Sequence, residues 1–412
     1  MTLGVGGSTM AAELGRIRSI RDEAAPILDE ERRQRIAKVQ SIMRGRGIQA
    51  LHLDASTSNL YLTGLRLDAS ERLHGTLIPA EGDLTYIVPA FEEAKLRTMI
   101  SIAGKVRSWQ EHEDPAALVI DAVRDMGYGA GSIAVDPATP FFTFDGLRRA
   151  GNSYSFVNAG DIIAPCRMVK SPAEIALIKQ ATAMTLEVQK ATGRIMAEGI
   201  TTDAVTAFIG EAHRRMGADP VNTFCIVLFG EPTAYPHGVP YPQTLKPGDM
   251  VLVDIGATLH GYQSDITRSY VFGEATARQR MVWDTEKAAT EAVFAAARIG
   301  APCEALDAAA RRVIEAAGFG KGYALPGLPH RVGHGVGLDV HEAPYIVQGN
   351  ATPLAAGMCF SNEPTICIYG EFGIRLEDHI YMTDEGANWF TKPSPSVDDP
   401  LDAAAEQPGE HD

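Results

Sequence analysis

Four carboxylates and one histidine, carried on three short pieces in the last third of the chain, constrain the fold more than any other feature. The first piece is Val253-Asp254-Ile255-Gly256-Ala257, followed by Ser264-Asp265-Ile266-Thr267-Arg268. The second is Gly333-His334-Gly335-Val336-Gly337-Leu338-Asp339-Val340-His341-Glu342. The third is Ser361-Asn362-Glu363-Pro364, with Gly373-Ile374-Arg375-Leu376-Glu377-Asp378 after it. Met250 to Leu259 alternates like a strand, His260-Gly261 can turn, and Tyr262 to Phe272 returns. A two-residue turn puts Leu259 opposite Tyr262 and Asp265 opposite Gly256, so Asp254 and Asp265 lie diagonally on one face. Two carboxylates buried side by side are costly unless a cation joins them. The third piece repeats the scheme: a three-residue loop Gly370-Glu371-Phe372 would set Glu377 opposite Thr365, on the same face as Glu363. Four carboxylates balance two divalent ions. Oxygen-rich ligation with one imidazole suits manganese, with cobalt, iron or zinc as alternatives. Such a pair performs hydrolysis by activating water and polarising a carbonyl. Taken singly, each of these residues would read as an ordinary turn, surface or packing residue; their joint spacing gives them weight.

The rest of the chain fits a two-domain protein. At 412 residues it is too long for one ordinary core, and 45% hydrophobic with 22% charged residues is a globular composition. The first ten residues lack the basic and apolar regions of a signal peptide, and no apolar run reaches membrane-span length. Cys166, Cys225, Cys303, Cys359 and Cys367 are scattered and never form C-x-x-C, as expected of reduced core cysteines in the cytoplasm. A net charge of −15, six of it in the tail after Lys392, excludes the basic footprint of a nucleic-acid binder.

Residues 1–28 are expected to be a disordered lead. A helix capped by Asp29 should precede a strand over 48–53, and Asn59 to Gly64 reads as a turn into another strand. Strands over 75–79, 84–88, 132–135 and 153–157, with a helix from Phe91 to Ile102, make 29–165 an α/β domain. Ser171-Pro172-Ala173-Glu174 is a capping box opening a helix to about Met196, and Thr202 to Met216 forms a second. Alanine-rich helices follow over 276–299 and 304–317, with strand-rich stretches over 221–273 and 323–383. Thus 166–392 reads as an α+β catalytic domain, and 393–412 as an acidic, disordered tail.

These pieces resemble the creatinase/prolidase/methionine aminopeptidase superfamily, and within it the Xaa-Pro peptidases, prolidase and aminopeptidase P. The resemblance is strong over about 170–390 and weaker in front, where Asn59-Leu60-Tyr61-Leu62-Thr63-Gly64 and Met168-Val169-Lys170-Ser171-Pro172-Ala173-Glu174-Ile175 carry it. It implies a pita-bread catalytic domain behind a smaller creatinase-type α/β domain. It further implies two metal ions held by Asp254, Asp265, His334, Glu363 and Glu377, with Asp265 and Glu377 bridging and Glu363 acting also as general acid/base. His237 and His341 would donate to the scissile carbonyl, and His330 and Arg375 would receive the prolyl residue. His260 and His379 lack such support and read as a turn residue and a strand surface residue.

One departure stands out. The resemblance implies a tyrosine near the metals at the position of Cys367, and Tyr369 would share the face of Cys367 and could compensate. The expected activity is hydrolysis of the bond before proline in dipeptides, by a cytoplasmic homodimer whose Arg66 to His74 loop could reach the partner's site. Rival readings are an aminopeptidase P acting on longer peptides, a non-peptide amidohydrolase such as ectoine hydrolase, and a peptide-binding module without catalysis.

Overall fold

The computed structural model describes residues 2–220 and 224–406. The chain divides into two compact units, one formed by Ile27–Arg167 and the other by the residues before and after it.

Before the first division point, α1 (Met10–Arg16) belongs with the larger unit. Contrary to the expected disorder, this lead is tied down. Glu13 is fully buried and takes hydrogen bonds from Ser8, Arg16 and Arg194. In the Ile27–Arg167 unit, α2 (Asp29–Gly45) leads into β1 (Ile48–Leu53), α3 (Thr57–Thr63), β2 (Gly75–Pro79), β3 (Leu84–Pro89) and α4 (Glu93–Met99). Then come β4 (Gly104–Trp109), α5 (Pro115–Asp125), β5 (Gly131–Val135), α6 (Phe141–Ala150), β6 (Tyr154–Asn158) and α7 (Gly160–Met168). The six strands form one mixed sheet in the order β4-β3-β2-β1-β5-β6. Val119, Ile120 and Val123 of α5 and Leu147 of α6 join Leu77, Ile87 and Ile133 of the sheet in one core.

Two local expectations change here. Asp29 is the first helical residue rather than the cap, and its carboxylate accepts from Arg32 and Ser101. Asn59 to Thr63 is helical, because Ser56 caps α3 through the Asn59 amide and Gly64, at φ 75°, ends it in the left-handed region. The Asn59 side chain then serves tertiary structure, donating to Leu65 O and accepting from Thr76.

The larger unit continues with α8 (Pro172–Arg194), opened by the Ser171/Glu174 capping box, and α9 (Thr202–Met216). Strands β7 (Cys225–Phe229), β8 (Met250–Ile255), β9 (Thr258–Leu259), β10 (Tyr262–Gln263) and β11 (Ile266–Val271) follow. Helices α10 (Ala277–Ala296) and α11 (Cys303–Ala316) separate these from β12 (Gly333–Gly335), β13 (Glu342–Ile346), β14 (Cys359–Asn362) and β15 (Thr365–Ile368). The last strands are β16 (Phe372–Arg375), β17 (Asp378–Thr383) and β18 (Gly386–Trp389). The sheets run β11-β8-β7 and β13-β12-β14-β17-β18, with β9/β10 and β15/β16 as two-stranded ribbons. Trp283 and Val293 of α10 and Leu306 and Ile314 of α11 pack with Val271, Phe360, Ile374 and Ile380 in a second core. Residues 393–406 are packed as well: Val397 and Leu401 are buried, and Asp399 caps the last helical turn through Ala403 and Ala404. The expected disorder therefore does not hold there, and residues 407–412 lie outside the described part.

Candidate metal centre

The first carboxylate pair is placed by a hairpin whose register follows from its turn. His260 (φ 49°) and Gly261 (φ 90°) occupy the two positive-φ positions of the turn. Leu259 pairs with Tyr262, and further out Ile255 pairs with Ile266 and Asp254 with Thr267. The register is continuous, so Asp265 lies opposite Gly256, diagonal to Asp254 as expected. Gly256 has no room for a side chain: a Cβ there would stand 2.2 Å from the Ser264 carbonyl oxygen.

The second pair is closer than the sequence suggested. Ile368 pairs with Phe372, so the turn is Tyr369-Gly370-Glu371, one residue earlier than expected, with Gly370 at φ 82°. The same register holds from Thr365↔Arg375 to Asn362↔Asp378, which places Glu363 directly opposite Glu377 rather than diagonal to it. Face parity survives because the register moved by two residues.

His334, on β12, brings the two hairpins together. Its Nε2 lies 3.0 Å from Glu363 Oε1 and 3.7 Å from Asp265 Oδ2. Its Nδ1 faces the Gly335 carbonyl at 3.1 Å, and a proton donated there leaves the Nε2 lone pair pointing at carboxylate oxygens. Lone pairs facing one another inside a protein call for a cation. Asp254 Oδ1, Asp265 Oδ1, Glu377 Oε1 and His334 Nε2 are buried without a hydrogen-bond partner among the described residues. Ligand atoms of His334, Glu363 and Glu377, and those of Asp265, His334 and His341, lie within 4.8 Å of one another. This donor set fits divalent metal ions.

The electrostatics agree. Burial, then the charges of Glu377, Asp254 and Glu363, pushes the Asp265 carboxyl well above its usual range. Glu377 rises too, from burial and then from Glu363 and Asp254. Burial also disfavours the charged form of Glu363; with a proton on His334 Nε2 in place of a cation, the pull of that imidazolium prevails and takes Glu363 down to about 2. Protein groups alone thus leave the cluster short of positive charge.

Around the cluster lies a cavity of about 930 Å³ lined by Asp254, Asp265, Glu363, His237, His330, His341 and Arg375, all of them singled out in the sequence, and also by Arg331. The His341 ring stands 4.0 Å from that of His334, and its Nδ1 faces Arg331 at 3.5 Å. Burial, then the nearby His334, pushes the His341 imidazole down to about 4, so it is neutral at pH 7. His330 is held at both nitrogens, by the Arg331 carbonyl at 2.6 Å and the Thr365 hydroxyl at 3.0 Å. Arg375 is committed as well. Its three nitrogens donate to Thr267 Oγ1, the Pro236 carbonyl and Asp254 Oδ2, so it holds Asp254 in place.

Several residues with a part in the site were not singled out in the sequence. The Thr267 hydroxyl donates to Glu377 Oε2 at 2.6 Å and accepts from Arg375. Ser361 Oγ receives the His334 amide at 3.0 Å and reaches Glu363 Oε1 at 3.3 Å. Thr267 follows Asp265 by two residues and pairs with Asp254 across the hairpin, and that spacing is the signal the sequence offers. His379 is not a surface residue: it is fully buried beside Asp265 and Glu377. Cys367 is buried, its thiol pushed up to about 12 by burial, and it does not line the cavity. Tyr369 does not compensate for it. It belongs to the turn, is 54% exposed and stacks on Tyr235.

Known proteins share this architecture. The family model "Metallopeptidase family M24" matches residues 176–384, and the "Creatinase/Prolidase N-terminal domain" model matches 35–169. A probable dipeptidase, PepE, of Mycobacterium bovis is 35% identical over 86% of this chain and 92% of its own length. An Xaa-Pro dipeptidase of Lactobacillus helveticus is 33% identical over 80% of this chain and 89% of its own. The crystal structure of a prolidase from Thermococcus sibiricus superposes with a TM-score of 0.81, at 31% identity, over 87% of this chain and 96% of that one. With one model spanning half of the sequence and relatives matched over most of their length, the chain belongs to metallopeptidase family M24, its catalytic domain preceded by a creatinase/prolidase N-terminal domain.

Proposed function

We propose that the protein is a dinuclear-metal hydrolase that cleaves the peptide bond before proline, acting on Xaa-Pro dipeptides. The observation that carries this reading is the cluster of Asp254, Asp265, His334, Glu363 and Glu377: all but Glu363 carry a buried, unpartnered ligand atom, and Asp254, Asp265 and Glu363 line a cavity large enough for a short peptide. Relatives named Xaa-Pro dipeptidase and prolidase support the substrate class.

The five residues would hold two divalent ions, manganese being the best match to their oxygen-rich set. When bound, the ions supply Lewis-acid polarisation of the scissile carbonyl and lower the pKa of water. The chain's own groups do the rest. Glu363, at the cavity wall, accepts a proton from the attacking water and returns it to the leaving prolyl nitrogen. His341, whose Nδ1 faces Arg331, can present Nε2–H to the carbonyl oxygen as charge develops there, and His237 flanks it. His330 and Arg375 shape the prolyl side mainly as positioning residues, since their nitrogens are already engaged. Arg331, also on the wall, is the cation we assign to the substrate carboxylate. Among the described residues no helix is long and apolar enough to cross a membrane. The five cysteines are unpaired, which favours a reducing cytoplasm. We take a homodimer as the working assembly, to be checked by light scattering.

The test is turnover of an Xaa-Pro dipeptide against an Xaa-Pro tripeptide and longer peptides, with manganese loaded. The reading predicts that the dipeptide is the better substrate. A strong preference for the longer peptides would replace it with an aminopeptidase, and absence of turnover on all of them would remove the peptidase reading.

A further inference from the structure

His379 has no part in the chemistry proposed for the centre. It lies on β17, two residues beyond Glu377, so both side chains rise from the same face of the strand. Its backbone pairs with Ser361 of β14, the residue that orders His334 and Glu363. The side chain is 0% exposed, and neither Nδ1 nor Nε2 has a hydrogen-bond partner among the described residues. An imidazole buried in this way is destabilising unless something satisfies it. The Phe390 ring, 6.2 Å away at 80°, borders it on one side, and apolar packing does not satisfy a ring nitrogen.

The side that matters faces the carboxylates. A ring nitrogen of His379 and one oxygen each of Asp265 and Glu377 lie within 4.8 Å of one another. Two ligands on opposite sides of one ion, each about 2.1 Å from it, are about 4.2 Å apart, so the three atoms are spaced to share a cation with small adjustments. Asp265 Oδ1 and Glu377 Oε1 are themselves unpartnered. His379 is set apart by its position, buried against two carboxylates that need positive charge.

We propose that His379 is a further metal ligand, giving the centre a second imidazole nitrogen beside that of His334. The proposal rests on the dinuclear reading given above. Its consequence is selectivity: a second nitrogen donor raises affinity for zinc and cobalt more than for manganese, because imidazole suits the later ions better than a carboxylate does.

Anomalous diffraction from crystals of the intact wild-type protein soaked in manganese tests this without relying on any variant. The expected result is an ion about 2.0–2.3 Å from a ring nitrogen of His379. Ions held by the carboxylates and His334, with His379 more than about 3.5 Å away and bonded elsewhere, would overturn the proposal while leaving the dinuclear centre intact. No ion at all would defeat the dinuclear reading itself. Competition with a chelator gives a second measurement: His379→Gln should weaken zinc binding at least about tenfold, and manganese binding less. Equal affinities in wild type and His379→Gln for both ions would contradict it.

Discussion

Glu363 has two jobs in the proposed mechanism, and they can be separated. As a ligand it needs an oxygen at its present place, 3.0 Å from His334 Nε2; as a proton carrier it needs an ionisable group. Glu363→Gln keeps the oxygen and removes the ionisation, so metal content should change little while kcat falls by about 10²–10⁴-fold. Metal analysis beside steady-state kinetics reads both, and unchanged kcat would remove the acid/base role. Thr267 offers the complementary case, a group that touches no substrate. Its hydroxyl joins Glu377 to Arg375, so Thr267→Val should loosen two carboxylates together and weaken metal affinity by about 10–100-fold in a chelator competition. At this scale the acidic residues and His334 stand out in the sequence because their joint spacing matches one family's pattern. The sequence did not reveal that Arg375 and His330 are already bonded to protein atoms, nor that His379 points inward, since those depend on which neighbours the tertiary fold supplies.

The two hairpins show how far strand parity can be read in advance. In the first, only His260-Gly261 can supply two adjacent positive-φ residues, so the turn and hence the whole register follow from the sequence. In the second, Gly370 can stand at more than one place in a three-residue turn, and the choice fell to packing, with Phe372 paired against Ile368. The segment after Asn59 is helical rather than extended for a similar reason: Ser56, which caps the helix, lies outside the Asn59-to-Gly64 motif. Gly256→Ala tests the first hairpin. Its Cβ would press on the Ser264 carbonyl and the Phe224 ring, separating the strands that carry Asp254 and Asp265. We expect a loss of about 1–3 kcal/mol in urea unfolding together with weakened metal binding. On α9, burial holds His213 down to about 4 from the ordinary 6.5, so it is neutral where it sits. Below pH 6.5 the unfolded chain takes up a proton that the folded chain refuses until about pH 4. Stability contributed at this position is therefore intact above 6.5 and falls between 6.5 and 4, by about 3 kcal/mol in all. His213→Gln should flatten the stability profile over that window, measured by urea unfolding of chelated protein at several pH values. Parallel profiles for the two proteins would contradict this.

For the whole molecule, the division at Arg167/Met168 gives each unit its own core, and the larger unit alone contains every proposed metal ligand. Packing of the N-terminal lead and of residues 393–406 belongs to that unit too, a feature hidden in the sequence by glycine-rich and acidic composition. The central claim is that this unit holds two divalent ions between its hairpins. It is tested most directly by the bound metal per chain after manganese loading and removal of free metal, in wild type and in Asp265→Ala. Two ions per wild-type chain and at most one in Asp265→Ala is the predicted result, since Asp265 is expected to bridge the pair. The same count in both proteins, or less than one ion per wild-type chain, would contradict the account.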